Sequence, residues 1–132
     1  MKKTAVMFAL ALTMVAVHAS AQAQAVQNPQ KVLRHVVMLR FTSSATPAIV
    51  QDIENSFKAL PLKIPSIKGF EWGINNSPEN FNEGLTHCFV VSFDDEKGRQ
   101  AYWDNPAHNE FVNNHLKPYM EKVVVIDYFV NK

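Results

Sequence analysis

The sequence predicts an α+β domain of the ferredoxin-like class with the element order strand, helix, strand, strand, helix, strand. Four segments alternate apolar and polar residues with the period of two that a β-strand requires. Two other regions repeat apolar residues at helical spacing. The helical regions follow the first and the third strand, and this order is the split βαβ arrangement.

The first strand runs from His35 to Phe41, and both of its faces are largely apolar. A polar break leads to Thr46 and Pro47, which are typical of an N-cap followed by the first helical position. We expect the helix that begins there to end near Pro61. Its apolar face is formed by Ile49, Ile53, Phe57 and Leu60.

Alternating aromatic residues before Ile74 predict the second strand, and an asparagine-rich loop over 75–84 follows it. Residues 86–93 form a third strongly apolar strand, after which two aspartates can cap a short helix through Tyr102.

A further helical piece begins at Asn105 and Pro106 and ends at Pro118, and the last strand covers 123–130. The apolar face of this helical piece carries His108, Phe111, Val112, His115 and Leu116.

Residues 1–25 have the layout of a secretory signal peptide, and we exclude them from the fold. Two lysines precede an apolar run that is too short to span a bilayer comfortably, and small residues follow it. We therefore expect a periplasmic or secreted protein without a membrane span. The mature chain then has a flexible lead-in over 26–31 and one domain over 32–130.

Composition excludes several classes of partner and site. Loss of the signal peptide removes two lysines and no acidic residue, so the net charge changes from +1 to −1 and does not indicate nucleic-acid binding. Cys88 is the only cysteine, so the fold must be held by its core. His108 and His115 lie about 10 Å apart along a helix, too far to ligate one metal ion, and we expect neither metal nor cofactor.

Placement of the strands predicts where the histidines meet. We expect the first and third strands to lie side by side and parallel in the middle of a mixed sheet. His35 and His87 begin those strands on the face that the helices cover, so we expect them to meet at one end of the sheet. His108 lies on a helix that packs on the same face, so three imidazoles would converge with Tyr102 on one pocket.

The opposite face of the sheet is apolar and would stay uncovered in a monomer. A face of this kind usually marks an interface, and we expect a two-fold homodimer whose two sheets form a dimeric α/β barrel. The alternative is that the helices are divided between both faces. The residues of this face are Val36, Met38, Cys88, Val90, Val124 and Ile126.

Tyr102 and His108 are the side chains suited to proton chemistry. His108 falls in the first turn of its helix, where the positive end of the helix dipole favours a neutral imidazole that can act as a base. Tyr102 lies just upstream and can share its pocket. The simpler interpretation is that both are core residues with satisfied polar tips.

Several short motifs occur over roughly Val32 to Phe129. They are His35-Val36-Val37-Met38-Leu39-Arg40-Phe41, Trp72-Gly73, Glu83-Gly84-Leu85-Thr86-His87, Tyr102, Asn105-Pro106-Ala107-His108 with Phe111, and Ile126-Asp127-Tyr128. Taken together, these motifs resemble the stress-responsive A/B barrel (Dabb) family of dimeric α+β barrels. The family includes plant stress-induced proteins without an established reaction and a plant polyketide cyclase that closes its substrate by aldol condensation. The sequence differs from that cyclase in having Leu85 in place of tyrosine and Asn105 in place of histidine.

The resemblance implies a pocket lined by His35, His87, Tyr102 and His108, of which the last two are the catalytic positions. A cofactor-independent cyclase or lyase would use His108 as base and Tyr102 as oxyanion partner, while His35, His87 and Phe111 contact the substrate. The alternative is a non-catalytic, stress-related dimeric protein that binds a small apolar or aromatic molecule in the same pocket. For a haem-handling or oxygen-activating barrel, the sequence offers no reason to make one histidine an axial ligand.

Overall fold

The structure is a computed structural model that describes residues 31–131. The expected signal peptide and the lead-in up to residue 30 lie outside the described residues. Within the described range, no helix is both long and apolar enough to cross a membrane.

Four strands and a series of helices follow one another in the predicted order. The π-helical segment within the second helical region was not predicted. The elements are β1 (Leu33–Phe41), α1 (Pro47–Lys63), β2 (Gly69–Ile74), β3 (His87–Phe93), α2 (Glu96–Trp103), α3 (Pro106–Glu110), a π-helical segment (Phe111–Leu116), a 3-10 turn (Lys117–Tyr119) and β4 (Met120–Phe129).

Each of the three α-helices begins at a side chain that accepts a backbone N–H. Thr46 Oγ1 accepts the amide of Ile49 at 3.4 Å, and Asp95 Oδ1 accepts the amide of Gly98 at 2.8 Å. Asn105 Oδ1 accepts the amide of Ala107 at 2.9 Å. These bonds satisfy amides that have no partner inside the helix, so the predicted helix starts are confirmed.

The first helix continues past the position where we expected it to end. Pro61 lies inside α1, which extends to Lys63, and the helix closes with a bond from the Ile64 amide to the Leu60 carbonyl. Because Pro61 lies in the last turn, its missing N–H removes one helical bond without breaking the segments on either side.

The sheet has the strand order β2-β3-β1-β4, and every neighbouring pair is antiparallel. The ferredoxin-like class is confirmed, but the expectation of a mixed sheet with parallel β1 and β3 is wrong. The crossover through α1 makes β1 and β2 parallel and leaves a gap between them. Strand β3 returns antiparallel to β2 and fills that gap, so it also runs antiparallel to β1.

One face of the sheet, together with the helices, forms the core. Alternate residues of β1 and β3 are buried, as the alternation predicted. The buried apolar set is Leu33, Val37, Leu39, Ile53, Phe57, Leu60, Ile64, Ile67, Phe89, Val91, Phe93, Tyr102, Phe111 and Leu116.

The other face of the sheet, here called the outer face, carries the apolar residues that the sequence assigned to it. Val36 pairs with Val90 and Ile126, and Met38 pairs with Cys88 and Val124, so all six share one face. They are partly or largely exposed. Burial raises the pKa of the Cys88 thiol, which favours its neutral form.

Candidate active site

A histidine that is hydrogen-bonded to an aspartate lies at one end of the sheet, where β1 and β4 run side by side. His35 and Asp127 are directly opposite each other in the register, and His35 Nδ1 lies 2.6 Å from Asp127 Oδ1. The other carboxylate oxygen accepts a bond from Arg99 Nη1 at 2.8 Å. The carboxylate therefore orients the ring with Nδ1–H as donor.

Tyr102 and His108 lie against this histidine. The ring centroids of Tyr102 and His108 are 4.3 Å apart, and those of His35 and Tyr102 are 5.8 Å apart. Tyr102 is near the end of α2 and His108 is in α3, so the corner that Asn105 caps folds the two side chains together. The structure therefore brings together three of the predicted site residues, hereafter the His35–Tyr102–His108 cluster.

Burial controls the protonation of Tyr102 and His108. Tyr102 is 1% exposed, and burial raises its phenol pKa above the usual range, so it remains a hydroxyl donor. The pKa of His108 is lowered from 6.5, first by burial and also by the charge of His35, while the nearby Trp103 backbone opposes the shift. A neutral His108 was predicted from the helix dipole, but its principal cause is burial.

One atom of the cluster lacks a hydrogen-bond partner. His108 Nδ1 is buried and is unpartnered among the described residues. Such an atom in a native structure calls for an explanation, because a buried polar atom without a partner costs about 1–3 kcal/mol. A ligand that donates a hydrogen bond or a proton to His108 Nδ1 would supply the missing partner.

His87 does not join this cluster, and the prediction that three imidazoles converge is wrong. Because β1 and β3 are antiparallel, His35 faces Val91, and His87 lies four residues further along, about 14 Å away at 3.4 Å per residue. At that end of the sheet His87 Nε2 is 3.1 Å from Glu54 Oε1. Two strands that begin on the same face do not begin at the same end when they run in opposite directions.

Phe111, which the sequence placed at the substrate, is a core residue in this structure. It is buried, and its ring centroid lies 4.8 Å from that of Phe57 on α1. A cleft of about 240 Å³ between α1 and the segment that carries His108 is lined in part by Ala107 and Phe111.

Sequence reasoning missed Asp127 and Arg99. Asp127 links the His35 imidazole to the guanidinium of Arg99. That guanidinium lies 4.7 Å from the ring centroid of Trp103. An acidic residue within an otherwise apolar strand was the available signal, but the residue opposite it could be named only once the β1–β4 register was known.

Within residues 31–131, no group of three or more His, Cys, Asp or Glu side chains is placed to hold a metal ion.

Comparison with known proteins agrees with the fold and with the resemblance. Olivetolic acid cyclase of Cannabis sativa is 29% identical over 100 residues, which cover 76% of this chain and 98% of the cyclase. The solved structure of a hydroxynitrile lyase from Passiflora edulis is 26% identical, with a TM-score of 0.74, and the match covers 79% of this chain and 97% of the lyase. A protein of unknown function from Thermobifida fusca, described as dimeric and ferredoxin-like, is 23% identical with a TM-score of 0.67, over 80% and 97% of the two chains.

The sequence model of the Stress responsive A/B Barrel Domain matches residues 33–130, which contain all four strands and every residue of the candidate site. The chain therefore belongs to the stress-responsive A/B barrel domain family.

Proposed function

We propose that the protein is a cofactor-independent lyase or cyclase that removes a proton from a small apolar or aromatic carbonyl compound at the His35–Tyr102–His108 cluster. The observation that carries this proposal is the buried, unpartnered Nδ1 of a neutral histidine in contact with a protonated phenol. A base and a hydrogen-bond donor held side by side are the two groups that enolate formation requires.

The reaction proceeds with the two groups in separate roles. His108 Nδ1 takes the proton from the carbon next to the carbonyl. The electron pair of that C–H bond forms the carbon–carbon double bond of the enolate, and the π pair of the carbonyl moves to its oxygen. The Tyr102 hydroxyl donates a hydrogen bond to the resulting oxyanion. When the enolate carbon attacks a second carbonyl of the substrate, His108 returns the proton to the new alkoxide. The reverse sequence cleaves the same bond.

The two named relatives support a reaction of this class. One is called a cyclase and the other a lyase, and both match three quarters or more of this chain. Both names are consistent with a cluster whose machinery is a base and an oxyanion partner.

Proton exchange tests the proposal without knowledge of the natural substrate. Phenylacetone in D₂O should exchange the protons next to its carbonyl faster with the protein than with the same concentration of free histidine, and the rate should saturate with ketone. Proton NMR measures the exchange. A rate equal to that of free histidine, for this ketone and for a set of aryl diketones, would contradict catalysis.

Asp127 acts as a positioning residue in this proposal, because it orients His35 beside Tyr102. Asp127→Asn preserves shape and removes the charge, and we expect kcat/KM for proton exchange to fall roughly tenfold, the value of one charge-assisted hydrogen bond. Asp94→Asn, at an exposed carboxylate with a 3.9 Å contact to Lys68, is the matched control and should leave the rate unchanged. Equal exchange rates for Asp127→Asn and Asp94→Asn would show that Asp127 has no role at the site.

A second candidate function is binding without turnover. The observation in its favour is the burial of Tyr102 and His35, at 1% and 6% exposure, which restricts access by substrate to the side of the partly exposed His108. In this case phenylacetone would bind at the cluster and its protons would not exchange.

We further propose that two copies assemble through the outer face into a dimeric barrel. A cavity of about 460 Å³ on this face has largely apolar walls, and the T. fusca protein of the same fold is described as dimeric. Val36→Glu would place a charge in the middle of the outer face. The wild type should sediment as a dimer and the variant as a monomer, whereas a monomeric wild type would contradict the assembly.

Export to the periplasm or the cell exterior is also a proposal, and it rests on the layout of residues 1–25. Intact mass of the protein recovered from cell fractions tests it. We expect the exported form to lack the signal peptide, and a full-length protein confined to the cytoplasm would contradict export.

A further inference from the structure

A second buried pair of titratable side chains lies at the end of the sheet opposite the proposed active site. His87 Nε2 is 3.1 Å from Glu54 Oε1, and His87 Nδ1 is 2.8 Å from Thr86 Oγ1. The side chains of His87 and Glu54 are 8% and 15% exposed. A carboxylate and an imidazole are thus held together, largely out of water, where the proposed function makes no use of them.

Hydrogen bonds orient the His87 ring towards Glu54. Thr86 Oγ1 lies 2.8 Å from His87 Nδ1 and 3.3 Å from the Leu39 carbonyl oxygen, which also accepts the Thr86 amide at 2.8 Å. With Nδ1 held by Thr86, His87 Nε2 faces Glu54 Oε1.

Glu54 retains an unused acceptor. Among the described residues, its second oxygen, Oε2, has no hydrogen-bond partner and no basic side chain pairs with it. Lys58, one turn further along α1, lies instead over the ring of Trp72 at 5.2 Å from the centroid. A carboxylate whose side chain is 15% exposed and whose second oxygen has no partner among the described residues favours a cationic partner.

A groove of about 500 Å³ opens to solvent above this pair, within the range of about 300–1,000 Å³ typical of small-molecule sites. Its floor contains Glu54 and His87. Behind them the ring of Trp72 lies parallel to that of His87 at 6.5 Å between centroids, and Phe41 packs edge-on at 4.9 Å. The remaining walls are formed by Ala45, Pro47, Val50, Gln51 and Ile74.

We propose that this groove is a second ligand site, separate from the His35–Tyr102–His108 cluster, which binds a small organic amine with an apolar or aromatic body. The ammonium group donates to Glu54 Oε2, and the apolar body lies against Pro47, Val50 and Ile74. The site is about 14 Å from His35 along the strands, so it neither requires nor excludes catalysis at the other end.

Benzylamine and benzyl alcohol provide a matched pair of ligands, because they differ only in the charged group. Titration of the wild type, followed by NMR of the Trp72 indole and His87 ring, should show benzylamine binding at least about tenfold more tightly than benzyl alcohol, as expected for one charge-assisted hydrogen bond. Absence of benzylamine binding, or equal binding of the two compounds, would overturn the proposal.

Variants of two carboxylates on α1 test which charge binds the amine. Glu54→Gln can still accept the His87 N–H and should fold normally, yet weaken benzylamine binding at least about tenfold with little change for benzyl alcohol. Asp52→Asn is the matched control, since this exposed carboxylate of the same helix pairs with His115 at 2.8 Å and should leave binding unchanged. Equal losses in the two variants would indicate general electrostatic attraction and reject the site.

His108→Ala separates this inference from the proposed function. The variant should bind benzylamine as the wild type does, because His108 is at the other end of the sheet. If it loses benzylamine binding, the amine occupies the His35–Tyr102–His108 cluster and the second site is rejected.

Discussion

Replacement of His108 by alanine is expected to slow proton exchange from phenylacetone by about 10²–10⁴-fold while ketone binding changes little. That range is the usual contribution of a positioned general base. Binding is retained because Tyr102 still provides the hydrogen bond to the carbonyl oxygen, and the Tyr102 ring stays packed against His35. Initial exchange rates and a ligand titration on the same samples measure the two effects.

His115→Ala is the control for this prediction. His115 lies seven residues further along the same helical region, and its ring bonds to Asp52 on α1. Its loss removes an imidazole of similar exposure without touching the cluster, so the exchange rate should stay within about twofold of the wild type. If the two variants lose activity equally, His108 is not the base.

The pH dependence of the exchange rate is an independent test of His108 as the base. Since the pKa of His108 is lowered from 6.5, the neutral base persists to lower pH than an ordinary histidine would allow. The exchange rate should therefore hold its plateau through pH 6.5 and decline only in more acidic solution. A decline centred above pH 6.5 would require a different base.

Phe57→Ala is expected to lower the free energy of unfolding by about 3–5 kcal/mol, the range for removing a buried aromatic side chain. Phe57 is 2% exposed, and its ring lies 4.4 Å from that of Phe89 and 4.8 Å from that of Phe111. The substitution leaves a cavity where α1, the sheet and the segment after His108 meet. Urea unfolding followed by circular dichroism measures the loss.

Leu62→Ala, on the same helix, provides the comparison. Leu62 is 90% exposed, so its removal should change the unfolding free energy by no more than about 0.5 kcal/mol. A loss below about 1.5 kcal/mol for Phe57→Ala would show that this aromatic cluster is not the centre of the core.

Local signals predicted most of the fold because they depend on neighbours in sequence. Thr46 with Pro47, and Asn105 with Pro106, specify helix starts through their own side chains. Alternation assigned His35 and His87 correctly to the buried face. Strand direction is a property of the complete topology, and a wrong direction for one pair moved His87 to the wrong end of the sheet.

Local sequence patterns could not predict which residues contact each other across the sheet. Asp127 faces His35 only because β1 and β4 are paired in one particular register, which no local pattern specifies. The π-helical turn over Phe111–Leu116 was missed for a related reason. Its apolar spacing also fits an α-helix, so the spacing alone does not distinguish the two conformations.

We propose that His108 Nδ1 accepts a hydrogen bond from a ligand held at Tyr102. Histidine labelled with nitrogen-15 reports on this atom directly when a small phenol, which resembles an enol, is titrated into the protein. Binding should move the Nδ1 resonance of His108 in the direction of a hydrogen-bonded nitrogen. A bound phenol that leaves both His108 nitrogens as they were would contradict the proposal.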